Sequence, residues 1–264
     1  TPQGQLIDPY GGQQDLEKRI FRHISPAFAE DPVRILRVAR FSARYGHLGF
    51  TLAEETRQLM QSMVVAGEVD YLVPERVWAE LFKALKEQTP SAFFYTLKDC
   101  TALEKIFPEI NCLFGVPQPE KHHPEIDTGL HSMLCLEQAA QLSASPEVRF
   151  AALVHDLGKG LTPKELWPHH YGHEKNGLHA LEKMCGRLRV PNAFKALAIH
   201  VMQYHTHCHN AFELRASTLT DALGVLGAFK ANNTLHEFLL ACEADAKGRT
   251  GFEHAPYPQA ALIK

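Results

Sequence analysis

His155 and Asp156 are adjacent in the stretch Arg149–Lys159, at the end of an apolar run and two residues before Gly158. Phe150, Ala151, Leu153 and Val154 can seat one face of a helix in a core. Ser145, Pro146 and Glu147 open that helix with an N-cap residue, a first-turn proline and a first-turn acid. Gly158 suits its end. The pair is therefore expected at a helix C-terminus, fixed by packing and open to a ligand. By itself the dipeptide fits a hydrogen-bonded core histidine beside a surface aspartate equally well.

The surroundings favour chemistry. The chain has 16 histidines among 264 residues, and many crowd into 122–209, which suits metal or phosphate work. Its six cysteines are scattered with no Cys-x-x-Cys pair, as in a reduced, cytoplasmic protein, without a disulfide framework or zinc ribbon. A net charge of −3 names no nucleic-acid partner, so any basic surface must be local. No apolar run reaches membrane-spanning length.

The fold class read from these patterns is mostly α, since helical periodicity dominates and alternating strands are few. Residues 1–12 read as an extended segment and turn. Helices are expected over 15–23, 31–45, 74–86, 90–99 and 102–107, with another opened by a capping box of Thr51 and Glu54. The proline- and glycine-rich stretch 111–124 reads as a boundary. Beyond it, helices are expected over 127–142, 146–157, 173–188, 192–205, 215–228 and 234–247. The opening residues, without an initiator methionine, read as the end of something larger.

Arg34, Arg37, Arg40 and Arg44 follow one another at spacings of three, three and four, which puts them on one helical face. Ile35, Leu36, Val38, Ala39 and Phe41 supply the packed side. A solvated cationic face explains such a stripe, but four arginines without a lysine favour bidentate or stacking contacts. Asp31 adds an acceptor beside Arg34, and such a pair can hydrogen-bond the edge of a base while the other arginines hold phosphates.

The segments Leu6–Leu16, Arg22–His23, Phe28–Tyr45, Gly49–Phe50 and Pro74–Trp78 resemble the class II nucleotidyltransferases, the family of CCA-adding enzymes and poly(A) polymerases. The similarity is closest to members with a C-terminal HD domain and covers nearly the whole chain. It implies that residues 1–16 end a nucleotidyltransferase head, that 17–118 form a helical neck and body, that 119–250 form an all-α HD domain, and that 251–264 begin a tail. It also implies that Glu30, Asp31 and Arg34 form the amino-acid template selecting CTP and then ATP, with Arg37 and Arg40 binding nucleotide. The family's Asp-x-Asp motif, which binds Mg2+ for nucleotidyl transfer, would lie before residue 1. The chain alone is then expected to keep hydrolase activity and to lack transferase activity.

HD phosphohydrolases hold a divalent metal through one histidine, an adjacent His-Asp and a later aspartate. Resemblance to them assigns those roles to His131, His155, Asp156 and Asp245. Two imidazoles and two carboxylates suit a six-coordinate ion with open positions, Ni2+ first, then Mn2+, Co2+ or Mg2+, over a closed structural zinc. Such an ion lowers the pKa of water and polarises a phosphoryl oxygen. The expected catalytic group is His155, Asp156, Lys159 and His173. Lys159 is placed either on phosphate or in solvent, and His173, in a Gly-His-Glu element, on phosphate or a second metal. His200 and His205 are weaker candidates, and 205–209 reads as a polar loop.

The resemblance further implies 2′,3′-cyclic phosphodiesterase, 2′-nucleotidase and phosphatase activity at the 3′ end of tRNA, in a monomer or homodimer. An HD nucleotidase unrelated to tRNA and a non-catalytic RNA-binding module stand as alternatives.

Overall fold

The computed structural model describes residues 4, 6–231 and 234–263. Residues 1–3 and 5 of the expected N-terminal extended segment lie outside them. The chain divides into two compact units, Thr1–Ile106 and Phe107–Lys264.

The first unit runs α1 (Gly12–Lys18), β1 (Ile20–Phe21), α2 (Val33–Tyr45), β2 (Thr51–Leu52), α3 (Glu54–Val65), α4 (Pro74–Leu85), α5 (Ser91–Asp99) and α6 (Ala102–Ile106). Asp8 starts α1 by accepting the amides of Gly12 and Gln13 at 2.7 and 2.8 Å. The helix expected over 15–23 stops early, because Ile20–Phe21 pairs in parallel with Thr51–Leu52. That pairing also removes the expected capping box. Thr51 gives its amide to Arg19 O, α3 begins after Ala53 without a side-chain cap, and Glu54 instead contacts Arg57 and Gln58. Helix α2 packs on α4 and α5, burying Ile35, Leu36 and Ala39 against residues such as Leu81, Leu85, Phe93 and Leu97.

The second unit holds α7 (Pro108–Asn111), α8 (Thr128–Leu142), α9 (Pro146–Val154), α10 (His173–Leu188), α11 (Asn192–His209), α12 (Ala216–Val225), α13 (Leu235–Lys247) and α14 (Gln259–Ile263). Helix α9 is its centre, packed by α8, α11 and α13. Residues Val148 to Val154 are all buried there, so α9 is enclosed on every side and apolar around its circumference except at Arg149, whose guanidinium donates to the carbonyls of Ser143 and Ala140. Ser145 caps it by accepting the Val148 amide. Asp127 caps α8 by accepting the Leu130 amide at 2.8 Å. Each cap contributes about 1 kcal/mol.

Two expectations here are corrected. Helix α9 ends at Val154, short of 157, and a 3-10 turn follows over Leu157–Leu161. Gly158 does not end it in a left-handed conformation; no positive φ occurs there. Its value is closeness, since a Cβ on Gly158 would lie 1.9 Å from His173 O and 2.8 Å from Gly177 N. Second, 205–209 is not a loop. Helix α11 continues to His209, which puts His205 and His209 one turn apart on one face.

Candidate metal centre and arginine helix

His131 comes from α8, His155 from the C-terminal cap of α9, Asp156 from the turn after it and Asp245 from α13. All four are buried. His131 Nε2 lies 3.0 Å from Asp245 Oδ1 and 4.0 Å from Asp156 Oδ2. His155 Nε2 lies 3.1 Å from Asp156 Oδ2 and 3.5 Å from Asp245 Oδ1. Residues 114 positions apart thus meet at one point.

The other ring nitrogens explain how these imidazoles are aimed. Nδ1 of His155 donates to Ala152 O at 2.8 Å, and Nδ1 of His131 faces Glu125 Oε1 at 2.9 Å. His173 and His205 likewise direct Nδ1 at the carbonyls of His170 and Val201, at 2.9 and 3.0 Å. A proton held on Nδ1 leaves Nε2 with the lone pair a metal requires. His173 Nε2 and His205 Nε2 then face Asp156 Oδ1 at 3.2 and 3.8 Å. His155 Nε2, His173 Nε2 and Asp156 Oδ1 are buried without a well-aligned hydrogen bond. Lone pairs opposed to buried carboxylate oxygens repel one another unless a cation or a proton lies between them. This donor set fits a divalent ion.

The electrostatics carry the same demand for positive charge. Burial opposes a charged His155, but the neighbouring Asp156 and Asp245 carboxylates override it and hold its pKa up at about 10. Burial raises the carboxyl pKa of both aspartates, and the cations around them, His155 foremost, more than reverse that. His205 goes the other way, pushed down to about 3 by burial and by the positive charge of His155. It stays a neutral donor.

Around this cluster lies a cavity of about 440 Å3, lined among others by Asp156, Lys159, His173, His205, His209 and Asp245. Lys159 is not solvated. It is buried, with Nζ 2.6 Å from Asp156 Oδ2 and 2.8 Å from Gln118 Oε1. His200 is not among the lining residues.

Several members escaped sequence reading. His209 Nε2 lies 2.7 Å from Asp245 Oδ2, and its Nδ1 lies 3.0 Å from the Tyr257 hydroxyl. Cys135 Sγ lies 3.4 Å from His131 Nε2. Burial pushes its thiol pKa well up, so it enters the cluster as a neutral group. The i, i+4 spacing from His131 was the available sign for Cys135. For Glu125 and Gln118 there was none, since Glu125 reaches His131 from an irregular segment before α8 and Gln118 meets Lys159 from 41 residues away.

In the first unit, the arginines of α2 are differently engaged. Arg40 Nε is 2.6 Å from Glu80 Oε2, and its guanidinium lies 4.6 Å from the Phe41 ring centre. Arg34 donates to Ala27 O. Asp31 accepts from Val33 N at 3.0 Å and from Arg76 at 2.8 Å; burial raises its pKa, and these two hydrogen bonds bring it below the usual value. Arg37 and Arg44 are exposed. Arg34 and Arg37 line a cavity of about 800 Å3 together with Asp8, Tyr10, His23 and Phe41.

Comparison with known proteins agrees with this layout. Residues 49–113 match the family described as the probable RNA and SrmB-binding site of polymerase A, and residues 128–246 match the HD domain. The multifunctional CCA protein of Methylococcus capsulatus is 66% identical over 100% of this chain and 62% of its own length. That of Teredinibacter turnerae is 60% identical over 99% of this chain and 64% of its own length. The chain therefore spans somewhat less than two thirds of these relatives. Among solved structures, the Thermotoga maritima CCA-adding enzyme complexed with tRNA shares the fold. Its TM-score is 0.55 at 19% identity, over 97% of this chain and 54% of that one. A CCA-adding enzyme in complex with ATP gives a TM-score of 0.58 at 19% identity, over 97% of this chain and 53% of that one. Mostly α in fold, the chain is similar along its whole length to these multifunctional CCA proteins and carries an HD domain over residues 128–246.

Proposed function

We propose that the second unit is a metal-dependent phosphohydrolase acting on phosphoesters at RNA 3′ ends, as 2′,3′-cyclic phosphodiesterase, 2′-nucleotidase and phosphatase. The observation that carries this reading is the convergence of His131, His155, Asp156 and Asp245, with His155 Nε2 and Asp156 Oδ1 buried without a well-aligned hydrogen bond, beside a cavity that Asp156 and Asp245 line. Those four residues would hold the ion, Ni2+ by preference, with Mn2+, Co2+ or Mg2+ as substitutes. The ion when bound supplies charge neutralisation at phosphorus and a lowered pKa for water.

The protein's own groups complete the chemistry. Lys159 keeps the Asp156 carboxylate ionised and oriented from 2.6 Å away. His173 lines the cavity with its Nε2 turned toward Asp156, where it can hydrogen-bond a phosphoryl oxygen. Closely packed α9 and α13 shield the inner side of the cluster from water, which strengthens each of these interactions.

The longer protein would add CCA to tRNA from CTP and ATP, with Mg2+ held outside this chain. Asp31 and Arg34 would then select the base, and Arg37 and Arg40 would hold the nucleotide. Similarity to multifunctional CCA proteins over the whole chain supports this. It also favours tRNA over a free signalling nucleotide as the partner.

The test is hydrolysis of bis(p-nitrophenyl) phosphate and 2′,3′-cyclic AMP with each of the four metals, beside the His155→Ala and Asp156→Ala variants. Wild-type turnover in both variants after metal stripping and reloading would sink the assignment. For the template, unchanged CTP/ATP choice in an Asp31→Ala full-length protein would do the same.

A further inference from the structure

A second cavity, of about 350 Å3, adjoins the metal cluster, and Lys159, His122, His123 and His173 line both. Its outer wall is the segment Pro168–Glu174. There the rings of His169 and Tyr171 stack with centres 5.7 Å apart and planes 19° from parallel. Tyr171 is 82% exposed, so His169 covers part of the ring and solvent meets the rest. His170 pins the segment from beneath, through Pro117 O at 2.8 Å and Thr162 Oγ1 at 2.9 Å. An exposed aromatic ring on an anchored segment presents a fixed flat face on which a base can stack.

The inner wall carries an independent sign of a ligand. Gln118 is 2% exposed and lines this cavity. Its Oε1 accepts from the Lys159 ammonium at 2.8 Å, and an ammonium can only donate. The amide orientation is thereby fixed, with Nε2 as the remaining donor. That donor is buried and has no partner, which is costly unless a ligand oxygen or water meets it.

We infer that this cavity is a nucleoside subsite: Tyr171 stacks on the base of the phosphoester held at the metal cluster, and Gln118 Nε2 donates to a ribose or phosphate oxygen. The inference rests on the hydrolase reading above and narrows its substrates to nucleotides. Stacking on an aromatic face tolerates every base, so the subsite selects nucleotides over simple phosphoesters without choosing a sequence. That is the discrimination needed by an enzyme that meets many different RNA ends.

Equilibrium dialysis of the Ni2+-loaded chain against the hydrolysis-resistant phosphonate analogues of adenosine 2′-monophosphate and ribose 5-phosphate tests it, beside turnover of 2′,3′-cyclic AMP and glycerol 2-phosphate. Tyr171→Ala should weaken binding of the nucleotide about tenfold and of the sugar phosphate less than twofold, and Tyr171→Phe should restore the difference. The kcat/KM preference for the cyclic nucleotide over glycerol phosphate should fall in parallel. Gln118→Leu should weaken both ligands. Equal losses for both ligands in Tyr171→Ala, or none, would overturn the subsite while hydrolysis by the wild type keeps the enzyme reading. Tyr171-dependent nucleotide binding with no hydrolysis of any ester would overturn the enzyme reading alone.

Discussion

Glu125 Oε1 lies 2.9 Å from His131 Nδ1, on the side of the ring opposite Asp245. The carboxylate fixes which nitrogen carries the proton and so which one can meet a metal. Its side chain is 3% exposed, and its second oxygen receives the Thr250 amide at 3.2 Å. Glu125 is thus held in place before any ion arrives, as outer partners of metal-binding histidines are.

Glu125→Gln should therefore lower metal affinity without removing a ligand. A loss of about 10- to 100-fold is expected, read by calorimetric titration with Ni2+. Unaltered affinity would mean that His131 does not depend on Glu125 for its tautomer.

Metal removal should loosen the second unit, because it takes away the cation that the Asp156 and Asp245 carboxylates and the imidazoles of His131 and His155 would share. Adding ion at about 100 times its Kd stabilises the folded state by about 2.7 kcal/mol, which is roughly 5–10 °C in Tm for a chain of this size. Calorimetric melts with Ni2+ and with chelator should show that gap. The gap should close in His155→Ala.

Gly158→Ala places a methyl against the backbone of α10, 1.9 Å from His173 O. Backbone cannot rotate away as a side chain can, so a loss of roughly 3 kcal/mol is expected, measured by urea unfolding. Gly186→Ala is the control, since nothing lies within 4 Å of a Cβ there. That variant should be neutral or slightly stabilising.

Glu80, 6% exposed, joins Arg40 at 2.6 Å and Lys83 at 2.8 Å. Burial pushes its carboxyl pKa up, and hydrogen bonds from Lys83 and Arg40 more than reverse this, leaving it below the ordinary 4.5. A folded-state pKa below the unfolded one stabilises the protein above about pH 4.5, and that stability is lost as pH falls through the folded value. Glu80→Gln should cost about 2–4 kcal/mol near pH 7. The difference from wild type should shrink below pH 4.5 in denaturant melts taken across pH. A constant difference would assign the loss to packing.

The legible parts of the chain were those whose physics is local. Ser145 and Pro146 start α9 wherever it packs, and the apolar run Phe150–Val154 demands burial in any fold. His131, His155, Asp156 and Asp245 could be named as candidates because they stand in the order that resemblance to HD phosphohydrolases implies. Thr51 and Glu54 show the limit. Their spacing fits a capping box, but one pairing with Ile20–Phe21 claims Thr51 for a strand. A contact 31 residues away outweighed a local preference worth about 1 kcal/mol.

The sequence alone thus determined the mostly helical build, which follows from short-range periodicity, and named the candidate metal ligands through resemblance to HD phosphohydrolases. Tertiary structure alone decided that Gly158 serves close packing and that Lys159 is buried on Asp156 and Gln118. It also brought His205 and His209 into the cavity and held Arg40 on Glu80. Each of these depends on which surfaces of distant helices face each other. Periodicity can say that a face is buried, but only packing says against what.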